Sequence, residues 1–217
     1  PIGGGKWWGK TEDEESIRAI RAAVDNGINL IDTAPIYGWG RSEEVVGRAI
    51  KDIRDNVVIA TKCGLWWQDD RGSKMFELEG NTVRRSLRPD TIDIEIDQSL
   101  KRLGVDCIDL YQTHWQAMEP DKTPIADTME CLLKLKEQGK IRAIGVSNAT
   151  IDHMEEYRKV GRIDSNQPRY SMLDRDIEKR LVPYCIENNI SILAYSPLEQ
   201  GLLAGKITMD TEFSEGE

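Results

Sequence analysis

Apolar residues recur along the chain at two alternating periods, 3.6 and 2, and the alternation predicts an ordered series of helices and strands. Ile17, Ile20 and Val24 mark the first helical stripe, with Thr11 and Glu14 spaced as a capping box ahead of it and Asn26-Gly27 as its stop. The run 28–34, INLIDTA, then reads as a strand, and Ser42 is placed to cap a helix over 43–51 whose first turn is acidic. A strand over 56–62 precedes a long polar loop from Trp66 to Leu87. Beyond it, Ile92, Ile96, Ser99, Leu100 and Leu103 share one face of a helix over 89–103 that ends at Gly104. A strand over 107–114, a helix over 124–138 with proline at its first position and a strand over 141–148 continue the series. A helix over 151–160, a short strand over 164–167, a helix over 176–188 and a strand over 190–196 complete it. Pro183 either kinks the penultimate element or marks its true start.

Strict alternation of strand and helix implies a parallel sheet with right-handed crossovers, as an open doubly wound sheet or a barrel. The open form should carry G-x-G-x-x-G after its first strand, and the sequence has none. Polar residues instead stand at the C-terminal ends of many strands: Asp32, Lys62, His114, Ser147 with Asn148, Gln167, and Tyr195 with Ser196. In a (β/α)8 barrel all such ends converge on one face, so the fold expected is α/β, a TIM barrel. Counting back by twos sharpens this. Asp32 shares a face with Leu30 and Ile28, Lys62 with Ala60 and Val58, and His114 with Gln112, Leu110 and Ile108.

Composition narrows the function classes. The chain has 217 residues, 39% hydrophobic and 31% charged, as expected for a globular protein, and its formal charge of −9 argues against nucleic acid as a main partner. No apolar run approaches the roughly 20 residues that span a bilayer, and no leader pattern is visible, so a cytoplasmic protein without a membrane partner is expected. The four cysteines are widely spaced without a metal-ligand pattern, so no metal is expected.

Asp32, Lys62, Tyr37 and His114 together would form a proton-transfer device. A phenol ordinarily titrates near a pKa of about 10, and an adjacent ammonium favours its phenolate. Asp32 would hold Lys62 charged, and His114 would position a substrate oxygen beside Tyr37. Such a group suits protonating an alkoxide formed from a carbonyl, or the reverse. Asp32 and Lys62 alone would sooner read as a structural ion pair, a reading that Tyr37 and His114 overturn, and Tyr195 alone could be plain barrel packing. All six tryptophans precede residue 116; Trp39, Trp66 and Trp115 lie close in sequence to these residues and are candidate walls of a carbonyl pocket. The loop from Trp66 to Leu87 is a candidate lid.

The stretches GINLIDTAPIYGWGRSEEVVGRAI, VVIATKCG, QSLKRLGVDCIDLYQTHW, IRAIGVSN and AYSPLEQGLLAGK, in this order, resemble the aldo-keto reductases. The resemblance implies a TIM barrel that binds a nicotinamide cofactor, usually NADPH with NADH not excluded, without a Rossmann fold. It implies a catalytic tetrad at Asp32, Tyr37, Lys62 and His114. Ser147, Asn148 and Gln167 match the residues that hold the carboxamide, and Tyr195 the aromatic that stacks on the nicotinamide. Ser196, Pro197, Leu198, Gly201, Leu203 and Lys206 match the loop along the pyrophosphate. Strands two to seven of that barrel are represented here. A (β/α)8 barrel typically takes ~250 residues, so 1–217 reads as a single, partial barrel domain from a longer chain. The implied activity is reduction of small aldehydes or ketones, or the reverse. The alternative is a cofactor-binding regulatory subunit similar to the potassium-channel β subunits.

Overall fold

The computed structural model describes residues 2–4, 9–205, 207, 208 and 211. Its main sheet has six parallel strands: β1 (Leu30–Asp32), β2 (Val58–Cys63), β6 (Ile108–Thr113), β7 (Ile141–Ser147), β8 (Ser165–Gln167) and β9 (Ser191–Ile192). They are hydrogen-bonded in sequence order, without a strand skipped. Helices α1 (Asp13–Asp25), α2 (Arg41–Ile50), α3 (Pro89–Leu103), α4 (Ile125–Glu137), α5 (Ile151–Val160) and α6 (Leu181–Glu187) alternate with them. The sheet is strongly curled. Gln167 on β8 donates to Asp32 on β1 at 3.0 Å, although four inter-strand steps of about 4.8 Å would hold them far apart in a flat sheet. This is the curvature of a partial TIM barrel.

The core lies between the sheet and its helices. Ile59, Tyr111, Ile144 and Val146 meet Ile92, Ile96, Leu132, Leu135, Met154 and Tyr157, all fully buried. These are the odd-numbered β2 and β6 positions and the even-numbered β7 positions, so the other parity faces the concave side, as the counting by twos predicts. Lower on that concave side Ile28 is 60% exposed and Leu30 and Val58 are 39% exposed, while Lys62 and Gln112 are fully buried and Asp32 stays exposed.

The 66–87 segment is not a loop. It forms a three-stranded antiparallel sheet of β3 (Leu65–Trp66), β4 (Ser73–Leu78) and β5 (Asn81–Arg85). Glu79 and Gly80 make the two-residue turn between paired Leu78 and Asn81, both with positive φ (48° and 83°), the backbone that suits a hairpin's twist. Leu78 and Val83 on this hairpin bury themselves against Ala34, Ile36 and Leu65, with Tyr37, Trp39 and Trp115 at the margin.

Several local expectations need correction. Thr11 does not cap α1, which begins at Asp13 after Glu12; the Thr11 carbonyl accepts Arg41 instead, at 2.8 Å. Ser42 does not cap α2, because its hydroxyl is bonded to Thr33 Oγ1 at 2.8 Å and left-handed Gly40 precedes the helix. Pro124 sits just outside α4, one position earlier than expected. The element over 176–188 divides into a 3-10 turn (Asp176–Lys179) and α6, and Pro183 lies in the first turn of α6, where a proline costs no intrahelical bond. Beyond β9 the run toward Tyr195 leaves the regular ladder, held by the isolated bridge of Arg169 to Tyr195 and by backbone bonds from Leu193 to Asn166 and from Tyr195 to Pro168. No helix among the described residues is long and apolar enough to cross a membrane.

Candidate active site

At the C-terminal end of the sheet, Lys62 is 0% exposed, and its ammonium donates to Asp32 Oδ2 at 2.6 Å and to the Thr33 carbonyl at 2.8 Å. A buried ammonium is tolerated only with such partners. The other carboxylate oxygen, Asp32 Oδ1, accepts the amides of Gln112 at 3.1 Å and Gln167 at 3.0 Å. Asp32 is thus held at both oxygens.

Tyr37 reaches this pair from the turn after β1. The Lys62 ammonium lies 5.2 Å from its ring centre, and the His114 ring meets it edge-on, with centroids 5.8 Å apart and planes at 87°. Pro35 and the left-handed Gly38 and Gly40 set that turn, and Gly38 must be bare because a Cβ there would lie 2.2 Å from the Gly3 carbonyl oxygen. His114 follows β6, its N–H on the Cys63 carbonyl at 2.8 Å. Burial, and then the Lys62 charge, push its imidazole well below the usual 6.5, so it is neutral and can donate one N–H.

These groups open on a cavity of about 390 Å³. Asp32, Tyr37, His114 and Trp115 line it together with Ser147, Asn148, Gln167, Tyr195, Ser196 and Gln200. Four of these residues form a connected hydrogen-bond chain. Tyr195 donates to Asn148 Oδ1 at 2.9 Å, Asn148 donates to Ser147 Oγ at 3.2 Å and to the His114 carbonyl at 3.1 Å, and Ser147 donates to the Gln167 carbonyl at 2.8 Å. Burial raises the Tyr195 phenol, which therefore remains a donor to Asn148 near neutral pH. Behind the wall, Gln116 ties the Ser147 carbonyl to the Tyr157 hydroxyl.

The remaining expected residues are placed less uniformly. After left-handed Ser196, Pro197 and Leu198 are exposed in the turn that leads into a 3-10 segment (Glu199–Ala204) containing Gly201 and Leu203. Glu199, beside them, pairs with Arg169 and accepts the Ser171 hydroxyl. Lys206, Trp7 and Trp8 lie outside the described residues. Trp115 lines the cavity, but Trp66 does not: it is 1% exposed in β3, paired with Arg84 of β5, donating to Asp69 at 2.7 Å with Arg71 stacked on its ring. Trp39 also stands off the wall, edge-on to Trp67 and donating to Glu79 at 2.7 Å. Two residues were not anticipated, Gln200 in the cavity lining and Gln112 on Asp32. The parity of β6 was the available signal for Gln112, since it puts that residue beside His114.

Among the described residues, no group of three or more His, Cys, Asp or Glu side chains could hold a metal ion. The arrangement can hold a phenol close to a buried cation, present a neutral imidazole beside it, and offer amide and hydroxyl groups in the same cavity.

Comparison with known proteins bears on the family and the fold. The model of the aldo/keto reductase family matches residues 1–217. A protein named NADH-specific methylglyoxal reductase from Escherichia coli is 48% identical over 211 residues, covering 96% of this chain and 64% of that protein. The aldo-keto reductase YhdN of Bacillus subtilis is 45% identical, covering 99% of this chain and 61% of its own length. The structure of a glycerol dehydrogenase from Gluconobacter oxydans superposes with a TM-score of 0.87 at 45% identity, over 100% of this chain and 63% of that one. An aldo/keto reductase from Klebsiella pneumoniae, solved in complex with NADP and acetate, gives 0.76 at 31% identity, over 97% and 69%. The chain thus spans a little under two thirds of the length of its first relatives. Family match, sequence identity and fold agree, and the chain belongs to the aldo/keto reductase family of oxidoreductases.

Proposed function

We propose that this chain, as one domain, carries the catalytic and cofactor-binding corner of a nicotinamide-dependent carbonyl reductase acting on small aldehydes or ketones, or on the corresponding alcohols in reverse. The observation that carries the reading is the buried Lys62 ammonium, paired with Asp32 and close to the Tyr37 ring, beside a cavity that Ser147, Asn148 and Gln167 also line.

The residues present fit a nicotinamide. Its carboxamide needs one acceptor and two donors answered, and Ser147, Asn148 and Gln167 supply hydroxyl and amide groups together in that cavity. The Tyr195 ring, fixed by its bond to Asn148, offers a flat face beside them. Ser196, Gln200 and Gly201, all at positive φ, turn the backbone past the cavity, where Ser196 through Leu198, Gly201 and Leu203 would follow the pyrophosphate. When bound, the cofactor supplies a hydride to the carbonyl carbon.

This chain's residues handle the proton. Tyr37 donates its phenolic proton to the developing alkoxide, and the Lys62 ammonium stabilises the phenolate left behind. Asp32 holds that ammonium in place. His114, neutral, donates a hydrogen bond to the substrate oxygen and sets it beside Tyr37. Trp115 provides an apolar wall for the substrate.

NADPH is the expected cofactor form. Neighbours solved with NADP or NADPH support it, and the relative named NADH-specific makes NADH the necessary comparison. Relatives named for methylglyoxal and glycerol point to small, oxygen-rich substrates. The test is fluorescence titration with NADPH and NADH, followed by assay of an aldehyde, ketone and polyol panel. Saturable binding with turnover supports the reading; tight binding without turnover of any panel member contradicts it.

A further inference from the structure

One row of the sheet runs across the floor of the site. Lys62 pairs with Gln112, Gln112 with Gly145, and Gly145 with Ser165, so these four residues lie side by side on the concave face. Gln112 is 0% exposed. Its amide nitrogen donates to Asp32 Oδ1 at 3.1 Å, and its amide oxygen has no partner among the described residues. A buried acceptor left without a partner is a cost to folding and calls for an explanation.

The neighbouring backbone is shaped around this side chain. A Cβ on Gly145 would lie 2.8 Å from Gln112 Cγ and 2.5 Å from Ser165 Oγ, so only glycine leaves Gln112 room to reach Asp32. Asp32 Oδ1 has a second donor, Gln167, at 3.0 Å, but Gln167 also stands at the cavity wall. Gln112 lies off that wall, so no bound molecule competes for its amide.

We propose that Gln112 is a positioning residue for carbonyl reduction: it locks the Asp32 carboxylate from the side opposite Lys62, and keeps it locked when Gln167 is engaged by the cofactor. With Oδ1 fixed, the carboxylate cannot rotate, and Oδ2 keeps the Lys62 ammonium between Asp32 and the Thr33 carbonyl, facing Tyr37. Gln112 acts through Asp32 and Lys62 and touches neither substrate nor cofactor. The inference rests on the carbonyl-reductase reading.

The test compares Gln112→Leu, Gln112→Glu and Gln167→Leu with the parent protein and with Tyr37→Phe. Gln112→Leu keeps the volume and removes both the donor and the orphaned acceptor. Its kcat is expected to fall about tenfold or more, the usual worth of one hydrogen bond to a charged group, while its Kd for NADPH by fluorescence stays within about twofold. Gln167→Leu should weaken that Kd. Gln112→Glu adds a signature that a purely structural role would not give. As a neutral acid it donates to Asp32 Oδ1 and supports turnover at low pH; once ionised it faces Asp32 as a second carboxylate, and activity falls along a limb the parent lacks. If Gln112→Leu turns over like the parent, or if the Gln112→Glu pH profile superposes on the parent's, the inference is overturned. Should Gln112→Leu not fold, the Gln112→Glu profile alone decides. An inactive Tyr37→Phe beside an active parent keeps the carbonyl-reductase reading whatever Gln112 shows, whereas an inactive parent overturns both.

Discussion

Glu95 on α3 accepts the backbone N–H of Gly64 with both carboxylate oxygens, at 3.0 and 3.1 Å, and so ties a buried helix residue to the end of the strand that carries Lys62. Burial raises its pKa to about 8, with the Glu43 charge pushing the same way and the Gly64 bond and Arg102 opposing. The folded state therefore holds a proton that the unfolded chain releases near 4.5. Stability from this group is fully present below about pH 4.5 and declines as pH rises toward 8, with a slope of at most about 1.4 kcal/mol per pH unit. Glu95→Gln keeps the neutral form. Urea melts between pH 5 and 8 should show a flatter dependence in the variant than in the parent; equal slopes would refute the assignment.

His114 predicts a different pH behaviour. Its imidazole is held well below 6.5 by burial and by Lys62, so the folded state binds fewer protons than the unfolded chain. Its contribution to stability is present above about 6.5 and is lost only as pH falls below it. The carbon-bound ring protons of His114 should show no NMR titration between pH 6 and 7. A normal imidazole titration in that window would contradict its neutral role.

Gly47 governs packing on the outer layer. A Cβ there would come within 2.6 Å of the Leu103 carbonyl oxygen and 2.8 Å of the Arg102 carbonyl oxygen, both backbone atoms that cannot swing aside. Gly47→Ala should separate α2 from α3 and destabilise by about 1–3 kcal/mol, less any gain in helix propensity. Thermal denaturation measures it, and an unchanged midpoint would show that the helices adjust freely.

Lys62→Met tests the buried cation. Removing the ammonium leaves Asp32 Oδ2 and the Thr33 carbonyl without their donor and leaves Tyr37 without its cation, so turnover should fall by about 10²-fold or more. Cofactor affinity should change far less, because Lys62 lies off the cavity wall. A variant with parental kcat would separate Lys62 from the chemistry.

Much of the site was legible because two periodicities fix which side chains share a face. Parity alone places Asp32, Lys62 and His114 on the concave side, and strand direction places them at one end. What parity cannot express is a contact made across the curl. Gln112 reads as one more member of its face until the bond to Asp32 is seen, and Ser42 reads as a cap although its hydroxyl is taken by Thr33. The hairpin escaped for a local reason: its turn is Glu79-Gly80 rather than Asn-Gly, and its strands carry Lys74, Glu77 and Arg84 among the apolar residues. Glu95, a glutamate on a helix, gives no sequence signal that it lies against Gly64. Trp66 is near the site in sequence yet is held in β3, where Asp69 accepts its indole N–H and Arg71 stacks on its ring.

The central claim is that Tyr37, set over the Lys62–Asp32 pair, is the proton donor for carbonyl reduction. Its most direct test is Tyr37→Phe, which removes one oxygen and keeps the ring against His114. The account predicts that NADPH binding by fluorescence stays within about twofold while kcat for aldehyde reduction falls by about 10²- to 10⁴-fold. A Tyr37→Phe protein that reduces the aldehyde at the parental rate would contradict it.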